Sequence, residues 1–275
     1  MTEEHHTLFV TDGARLVPTE LSRGPWSPDA LHGGPVAALV ARAVESLVPD
    51  APMHVTRLTV ELLRPVPLAP LTVTAQISRP GRKVQLVDVR VESDGRDVVW
   101  ARALRVRTVQ TQSADAPLPD PLSVGPVPGT DADAPPGPDA GHPSPAPIGH
   151  YRAFHSAGAE MRYVVGEFDE RGPAAVWVRL RVPVVAGEEP TPLQRVAAAS
   201  DFGNGVSSEL DFTRYVFINP DLSVHLHRPA VGEWVCLDAA TRLGVPGTGV
   251  AQSLLYDVRG PIGRALQSLV VEPRT

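Results

Sequence analysis

The chain has 275 residues, is 43 % hydrophobic and carries a net charge of −6 with a single cysteine, Cys236. No apolar run approaches the roughly 18 residues of a membrane span, and the negative charge argues against a nucleic-acid partner. A lone cysteine excludes an intramolecular disulfide and a cysteine metal cluster. With an acidic, polar start unlike a signal peptide, we expect a cytoplasmic protein. The near-exclusive use of arginine over lysine favours a bacterial origin.

The first predicted unit contains one buried helix and four antiparallel strands. Pro35 suits a first helical turn, and Pro49 ends a helix over residues 36–48 that is apolar on nearly every side. Segments in which apolar and polar residues alternate, or in which apolar residues are continuous, predict strands at residues 54–63, 71–78, 83–93 and 98–109. A sheet wrapped on a single helix is an α+β arrangement.

An internal repeat then sets the frame for the rest of the chain. Residues 58–65, LTVELLRP, match residues 222–229, LSVHLHRP, which lie 164 positions later. This spacing is too long for a solenoid and fits one small domain that was duplicated. We therefore predict an N-terminal unit at 1–112 and a C-terminal unit at 151–275, and we expect function to lie where they differ.

The segment between the units differs in composition. Residues 113–150 are dominated by Pro, Ala, Gly and Asp, so they cannot bury enough surface to offset their ordering entropy and are predicted to be a linker. The second unit repeats the scheme with an added strand pair in front. Its helix begins at Thr191 as N-cap and passes through Asp201. The strands are predicted at residues 161–167, 174–182, 222–227, 233–242, 249–257 and 264–272.

Several familiar catalytic motifs are absent from the sequence. It has no G-x-S-x-G elbow, no Walker loop, no G-x-G-x-x-G turn and no H-E-x-x-H helix. His225 and His227 are two apart on a predicted strand and are compatible with a metal pair, but the pattern favours two polar residues on one face opposite Val224 and Leu226. We expect neither a metal nor a cofactor.

The strongest local pattern is His32, Gly33 and Gly34 at the start of the first helix. Backbone N–H groups at a helix N-terminus are unpaired donors at the positive end of the helix dipole, and glycine allows a substrate to approach closely. Such a place suits a carbonyl that gains negative charge during attack. A tight loop that needs glycine for its backbone angles explains the pattern equally well.

At this point the chain resembles a known family. A helix opened by His-Gly-Gly and followed by an antiparallel sheet resembles the hotdog fold of acyl-CoA thioesterases. Two fused units resemble the TesB-type, or thioesterase-like, double-hotdog proteins over residues 20–110 and 155–272. The resemblance implies an acyl-CoA substrate, and it is carried further by Ala199 to Asp201, residues 224–229 and Gln267.

In TesB-type enzymes an Asp, a Thr and a Gln of the second hotdog bind the attacking water. The resemblance places the Asp at Asp201 and the Gln at Gln267, and Asn219 stands where the family has Thr. An asparagine still offers donors and an acceptor. From the residues alone, Asp201 also fits a solvent-facing helix end, Gln267 a structural amide and Asn219 a turn before Pro220.

Comparison of the two predicted units indicates a composite site. In single-hotdog His-Gly-Gly thioesterases a glycine amide polarises the carbonyl, and a carboxylate on the other subunit's helix drives the attack. Here the first helix has the glycines but Ala41 at the carboxylate position, whereas the second has Asp201 but no glycine. We therefore expect one site per chain and an empty counterpart.

Three functions follow from this reading. The leading one is an acyl-CoA thioesterase that uses Asp201, Asn219 and Gln267, with His32, Gly33 and Gly34 at the substrate. Non-hydrolytic binding of acyl-CoA or acyl-carrier thioesters is the alternative, and a hotdog dehydratase or hydratase ranks lowest because His32 precedes the helix. Acyl chain length and assembly into a homodimer or higher homo-oligomer stay open.

Overall fold

The computed structural model describes residues 6–109, 134–144 and 151–274. Three helices position the site: α1 (Gly33–Ser46), α2 (Pro192–Ser200) and α3 (Gly203–Val206). The strands are β1 (Phe9–Asp12), β2 (Arg15–Pro18), β3 (Met53–Leu62), β4 (Leu71–Arg79), β5 (Val84–Ser93), β6 (Arg96–Arg107), β7 (Ala159–Val165), β8 (Ala174–Leu180), β9 (Tyr215–Ile218), β10 (Asp221–Leu226), β11 (Trp234–Leu243), β12 (Thr248–Asp257) and β13 (Gly260–Pro273).

One antiparallel sheet runs through the described residues. Its order is β1-β2-β4-β5-β6-β3-β10-β13-β12-β11-β8-β7, and β9 pairs with β13 beside this path. Each half of the sheet wraps one long helix, so the predicted α+β double hotdog is confirmed. Every predicted strand is present within a few residues of its expected bounds. Three four-residue strands, β1, β2 and β9, were not predicted, because such short segments show no clear alternation.

The two copies of the repeated sequence pair with each other at the centre of this sheet. Strands β3 and β10 run antiparallel, and Thr59 lies opposite Ser223, the residue 164 positions later. The Ser223 hydroxyl lies 3.3 Å from that of Thr59. Equivalent positions that face each other place a pseudo-twofold axis between these two residues. The two hotdogs are therefore joined into a continuous sheet through their equivalent strands.

Helices α1 and α2 pack antiparallel on the inner face of the sheet. The middle of α1, Val36 to Ala41, is fully buried, and the corresponding part of α2 is the alanine-rich run Val196 to Ala199. Small side chains on both helices allow the two backbones to come close together. No helix among the described residues is long and apolar enough to cross a membrane.

Part of the segment predicted as a linker lies against the second hotdog. Residues 134–144 include one helical turn, Pro138–Ala140. The Trp177 indole N–H donates to the Pro136 carbonyl (2.7 Å), and His142 forms a bridge with Tyr163 of β7. The rest of the predicted linker lies outside the described residues. The division at 112 and 150 stays a prediction.

The repeat holds beyond the matching octapeptide. The Leu63 N–H donates to the Val98 carbonyl (3.1 Å), and 164 positions later the His227 N–H donates to the Ile262 carbonyl (3.0 Å). The next residue in the second copy, Arg228, is bound by a carboxylate that the first copy lacks.

This carboxylate belongs to Asp257 at the end of β12, and its side chain is fully buried. An Arg228 guanidinium nitrogen donates to Asp257 Oδ1 at 2.7 Å, and a second bonds the other oxygen. Burial by itself would raise the pKa of the Asp257 carboxyl. The hydrogen bonds from Arg228 and from the Arg259 and Val231 backbones outweigh burial and hold that pKa below its usual range.

We expect Asp257→Asn to lower the free energy of unfolding by about 3 kcal/mol, because it leaves the Arg228 guanidinium, 11 % exposed, without its counter-charge. The Asp257 pKa is depressed in the folded state, so its contribution is present above pH ~4 and is lost as pH falls through the folded pKa. Urea denaturation at pH 7 and pH 3 measures this, and the difference between variant and wild type should shrink at pH 3. Asp88→Asn, which breaks the exposed pair with Arg102, is the control and should change little.

Candidate active site

The site forms where the N-terminus of α1 meets the C-terminus of α2. Asp201 follows the last residue of α2, where a negative charge is unfavourable to its own helix. Its carboxylate lies at the first turn of α1, where the dipole and free N–H groups favour an anion. A Cβ on Gly33 would lie 2.6 Å from both carboxylate oxygens, so only glycine leaves room for the carboxylate here.

Two side chains from different elements donate to the Asp201 carboxylate, which is 5 % exposed, and a third, His32, lies within hydrogen-bond distance of it. The Asn219 amide donates to Oδ1 at 2.9 Å, and the Gln267 amide donates to the same oxygen at 3.3 Å. On the other side, His32 Nδ1 lies 2.8 Å from Oδ2. The structure thus brings together Asp201, Asn219, Gln267, His32 and Gly33, which come from both copies.

Gln267 and Asn219 are themselves fixed by further bonds. The Gln267 amide also donates to the Asp201 carbonyl (3.2 Å), while its oxygen accepts from the Asn204 N–H (3.0 Å). Asn219 lies in the turn between β9 and β10, and its amide also donates to the Asp221 carbonyl (3.2 Å). Asn219 is therefore both a turn residue and a hydrogen-bond donor to the Asp201 carboxylate, so its interpretation as a turn and its interpretation as a site residue are compatible.

The His32 ring packs against two phenyl rings that stack on each other. Ring centroids lie 5.2 Å from Phe154 and 4.7 Å from Phe202. Its Nδ1 lies near an acceptor, Asp201 Oδ2, and also 3.0 Å from the Gly34 N–H, a donor. One imidazole nitrogen carries either a proton or a lone pair, so it serves only one of them at a time. A proton on Nδ1 satisfies the ionised carboxylate and leaves the Gly34 N–H without an acceptor.

The two glycines have different surroundings. Gly33 lines the cavity described below, and its N–H has no hydrogen-bond partner within the described parts of the chain. Gly34 does not line the cavity. A Cβ on Gly34 would lie 2.6 Å from the Ala198 carbonyl and 2.8 Å from the Phe154 ring. Gly34 therefore allows α1 and α2 to approach, whereas Gly33 faces the reaction space.

A cavity of about 550 Å³ opens beside Asp201. Polar groups are concentrated near His32, Asp201 and Asn219, and most of the remaining wall is apolar. The large apolar side chains of that wall are Trp26, Met161, Phe168, Phe202, Phe212 and Ile218. Although aromatic residues make up only 5 % of the chain, several converge here. No sequence pattern indicates this wall, because its members are far apart along the chain and follow no periodicity.

The opposite end of the helix pair holds a carboxylate but no glycine, and the expectation that it is not a second catalytic site stays a prediction. Ala41 has no carboxylate, but Glu45, four residues later, reaches the N-terminus of α2. Glu45 accepts from the Thr191 hydroxyl (2.7 Å) and the Gln194 amide (3.1 Å). Burial raises the pKa of the Glu45 carboxyl, although these two bonds oppose the rise. Buried Arg105 donates to the Val44 carbonyl at the end of α1.

The two histidines that the sequence left as a metal alternative do not form a metal site with other ligands. His225 and His227 are exposed on β10 and just beyond it, while their neighbours Val224 and Leu226 are buried. Over the described ranges, no cluster of three or more His, Cys, Asp or Glu side chains is arranged to hold a metal ion.

Comparison with known families gives two matches, which together span most of the chain. Residues 22–108 match the acyl-CoA thioesterase N-terminal domain, and residues 130–271 match the acyl-CoA thioesterase C-terminal domain. No curated protein is similar enough in sequence to count as a relative.

Solved structures with the same fold align over nearly the full length. A candidate thioesterase from Novosphingobium aromaticivorans DSM 12444 has a TM-score of 0.71 and 21 % identity, covering 96 % of this chain and 98 % of that one. A hotdog protein of unknown function from Alicyclobacillus acidocaldarius has a TM-score of 0.70 and 18 % identity, covering 98 % and 97 %. Acyl-CoA thioesterase II TesB2 from Mycobacterium marinum has a TM-score of 0.61 and 16 % identity, covering 90 % and 91 %.

We expect Gly34→Ala to destabilise the fold by about 1–3 kcal/mol, although alanine usually favours a helix over glycine. The added methyl group would press on the backbone of α2. Gly205→Ala is the matched control, since a Cβ there meets nothing within 4 Å, and it should leave stability unchanged or raise it by up to about 1 kcal/mol. Urea denaturation of both variants checks this. Equal effects of the two would contradict the packing role of Gly34.

Proposed function

The chain belongs to the acyl-CoA thioesterase family, and on this premise we propose that it hydrolyses an acyl-CoA to the free acid and CoA with a water activated by Asp201. The observation that carries the proposal is one buried carboxylate, held by His32, Asn219 and Gln267, beside a largely apolar cavity. A cavity with an apolar wall and a few convergent polar groups suits an acyl chain whose thioester lies at the polar end.

The bonding of Asp201 supports its role as the general base. A carboxylate offers about four lone-pair positions. Asn219 and Gln267 occupy the two on Oδ1, and His32 Nδ1, 2.8 Å from Oδ2, occupies one there when this nitrogen carries the ring proton. The remaining position, on Oδ2, is left for a water molecule. Gln267 does not line the cavity and is a positioning residue, whereas Asn219 also faces the cavity.

The thioester oxygen is placed at the N-terminus of α1. The Gly33 N–H is unpartnered and lines the cavity, so it is the better oxyanion donor of the two glycine amides. The Gly34 N–H does not line the cavity and bonds His32 Nδ1 at 3.0 Å, so the Gly33 N–H is the donor we assign.

The reaction then proceeds with balanced bonds and protons. Asp201 takes a proton from the water as its oxygen bonds to the thioester carbon, and the Gly33 amide stabilises the oxyanion. When the carbon–sulfur bond breaks, the proton held by Asp201 passes to the departing CoA thiolate. The products are a free acid and CoA, and the carboxylate is restored.

We expect Asp201→Asn to lower kcat at least 100-fold, because the amide keeps the shape of the side chain but removes the base. CoA release followed with a thiol reagent across acyl chain lengths measures this. Glu45→Gln, which removes the carboxylate at the opposite end of the helix pair, is the matched control and should keep most of the activity. If wild type and Asp201→Asn are equally slow on every acyl-CoA, the hydrolytic proposal fails. Calorimetry then tests acyl-CoA binding without turnover.

Asn219 is tested by a pair of nearly identical side chains. Asn219→Thr keeps a donor for Asp201 and restores the residue that the resemblance implies, so we expect kcat within about fivefold of wild type. Asn219→Val has the same shape as threonine but no donor, and should lose at least tenfold. The same CoA-release assay measures both. Similar kcat values for the two variants would show that the hydrogen bond to Asp201 does not matter.

A further inference from the structure

Arg64 lies at the cavity, and no acidic side chain among the described residues pairs with its charge. It lines the cavity and its side chain is exposed. Within the described residues it forms no ion pair and no hydrogen bond. The strand just before it is tied to the site, since the Leu62 N–H donates to the Pro220 carbonyl (2.7 Å) next to Asn219. Arg64 therefore stands where the cavity beside Asp201 meets water.

The repeat shows that this freedom is specific to the first copy. Arg64 and Arg228 are equivalent, 164 positions apart, and so are Ser93 and Asp257, which end the first strands of their hairpins. In the second copy Asp257 binds Arg228 with two oxygens. In the first copy the short Ser93 hydroxyl points to the Pro70 carbonyl, 3.4 Å away, and offers no counter-charge.

The nearby acid on the next strand does not take over this role. Asp97 is the counterpart of Pro261, whose carbonyl accepts from Arg228 in the second copy. In the first copy the Asp97 carboxylate instead accepts from the Trp100 indole N–H at 2.8 Å. The Arg64 guanidinium is thus left without a protein anion.

We propose that Arg64 binds a phosphate group of the CoA part of the substrate and makes the site selective for CoA thioesters; this inference rests on the proposed function. A guanidinium presents a planar fork of donors that matches phosphate oxygens. With the thioester carbon at Asp201 and the acyl chain along the apolar wall, the phosphates stay in water at the cavity opening, where Arg64 lies. A carboxylate carried by the acyl chain is a poorer candidate ligand for Arg64, because it would lie in the apolar part of the cavity.

The test compares two substrates that share an acyl group and differ in their phosphates. Arg64→Gln should raise KM for an acyl-CoA about tenfold with little change in kcat. It should leave kcat/KM for the matching acyl-N-acetylcysteamine, which has no phosphate, within twofold. Arg79→Gln, at an exposed arginine that does not line the cavity, is the control and should affect neither. Added salt should weaken wild type on acyl-CoA more than it weakens Arg64→Gln.

A second variant introduces into the first copy the carboxylate that binds the arginine in the second copy. Ser93→Asp should engage Arg64, as Asp257 engages Arg228, and raise KM for acyl-CoA in the same way while sparing the N-acetylcysteamine thioester. In the Arg64→Gln background, Ser93→Asp should have no further effect on KM. Thermal melts confirm that each variant is folded.

Binding of desulfo-CoA, measured by calorimetry, separates this proposal from the hydrolytic one because it needs no turnover. A tenfold weaker Kd in Arg64→Gln supports the role of Arg64 even if wild type hydrolyses nothing, an outcome that counts only against the proposed function. An unchanged Kd, or an equal loss of activity on both thioesters, overturns the role of Arg64 while leaving Asp201 untouched.

Discussion

The antiparallel pairing of β3 with β10 is the constraint on which the rest of the structure depends. Because Thr59 faces Ser223, the two hotdogs are related by a pseudo-twofold axis, and their helices must run in opposite directions. Opposite directions bring the start of α1 to the end of α2. The positive end of one helix dipole therefore meets a carboxylate that its own helix disfavours. The register of the sheet therefore sets the position of the site, independently of which catalytic side chains lie there.

Both ends of the helix pair follow the same electrostatic rule with different results. A buried carboxylate is costly unless hydrogen-bond donors surround it. At one end Asp201 has two side-chain amide donors, lies 2.8 Å from His32 Nδ1 and faces a cavity. At the other, Glu45 is held by Thr191 and Gln194 and closes the junction. The same electrostatic rule thus gives a carboxylate beside an open cavity at one end and a closed structural contact at the other.

The sequence predicted the long strands and both long helices, because period-two and helical patterns are strong over ten or more residues. It also brought Gly33 and Asp201 together, through the repeat and the family resemblance. The carboxylate at the second end was not predicted, because the position equivalent to Asp201 is Ala41 and the longer side chain of Glu45, one turn later, reaches the partner helix. The contact between His32 and Asp201 depends on side-chain geometry across two copies, which no linear pattern encodes.

The Arg228–Asp257 pair has a consequence for how such a protein can evolve. In a homodimer of identical hotdogs, one gene specifies both equivalent positions, so both arginines are clamped or both are free. A fused chain removes that restriction, since Asp257 can pair with Arg228 and stabilise the fold, while Ser93 leaves Arg64 without a counter-charge. Duplication with fusion therefore allows one half to specialise in stability and the other in recognition, a division of labour that a symmetric assembly cannot reach by point mutation.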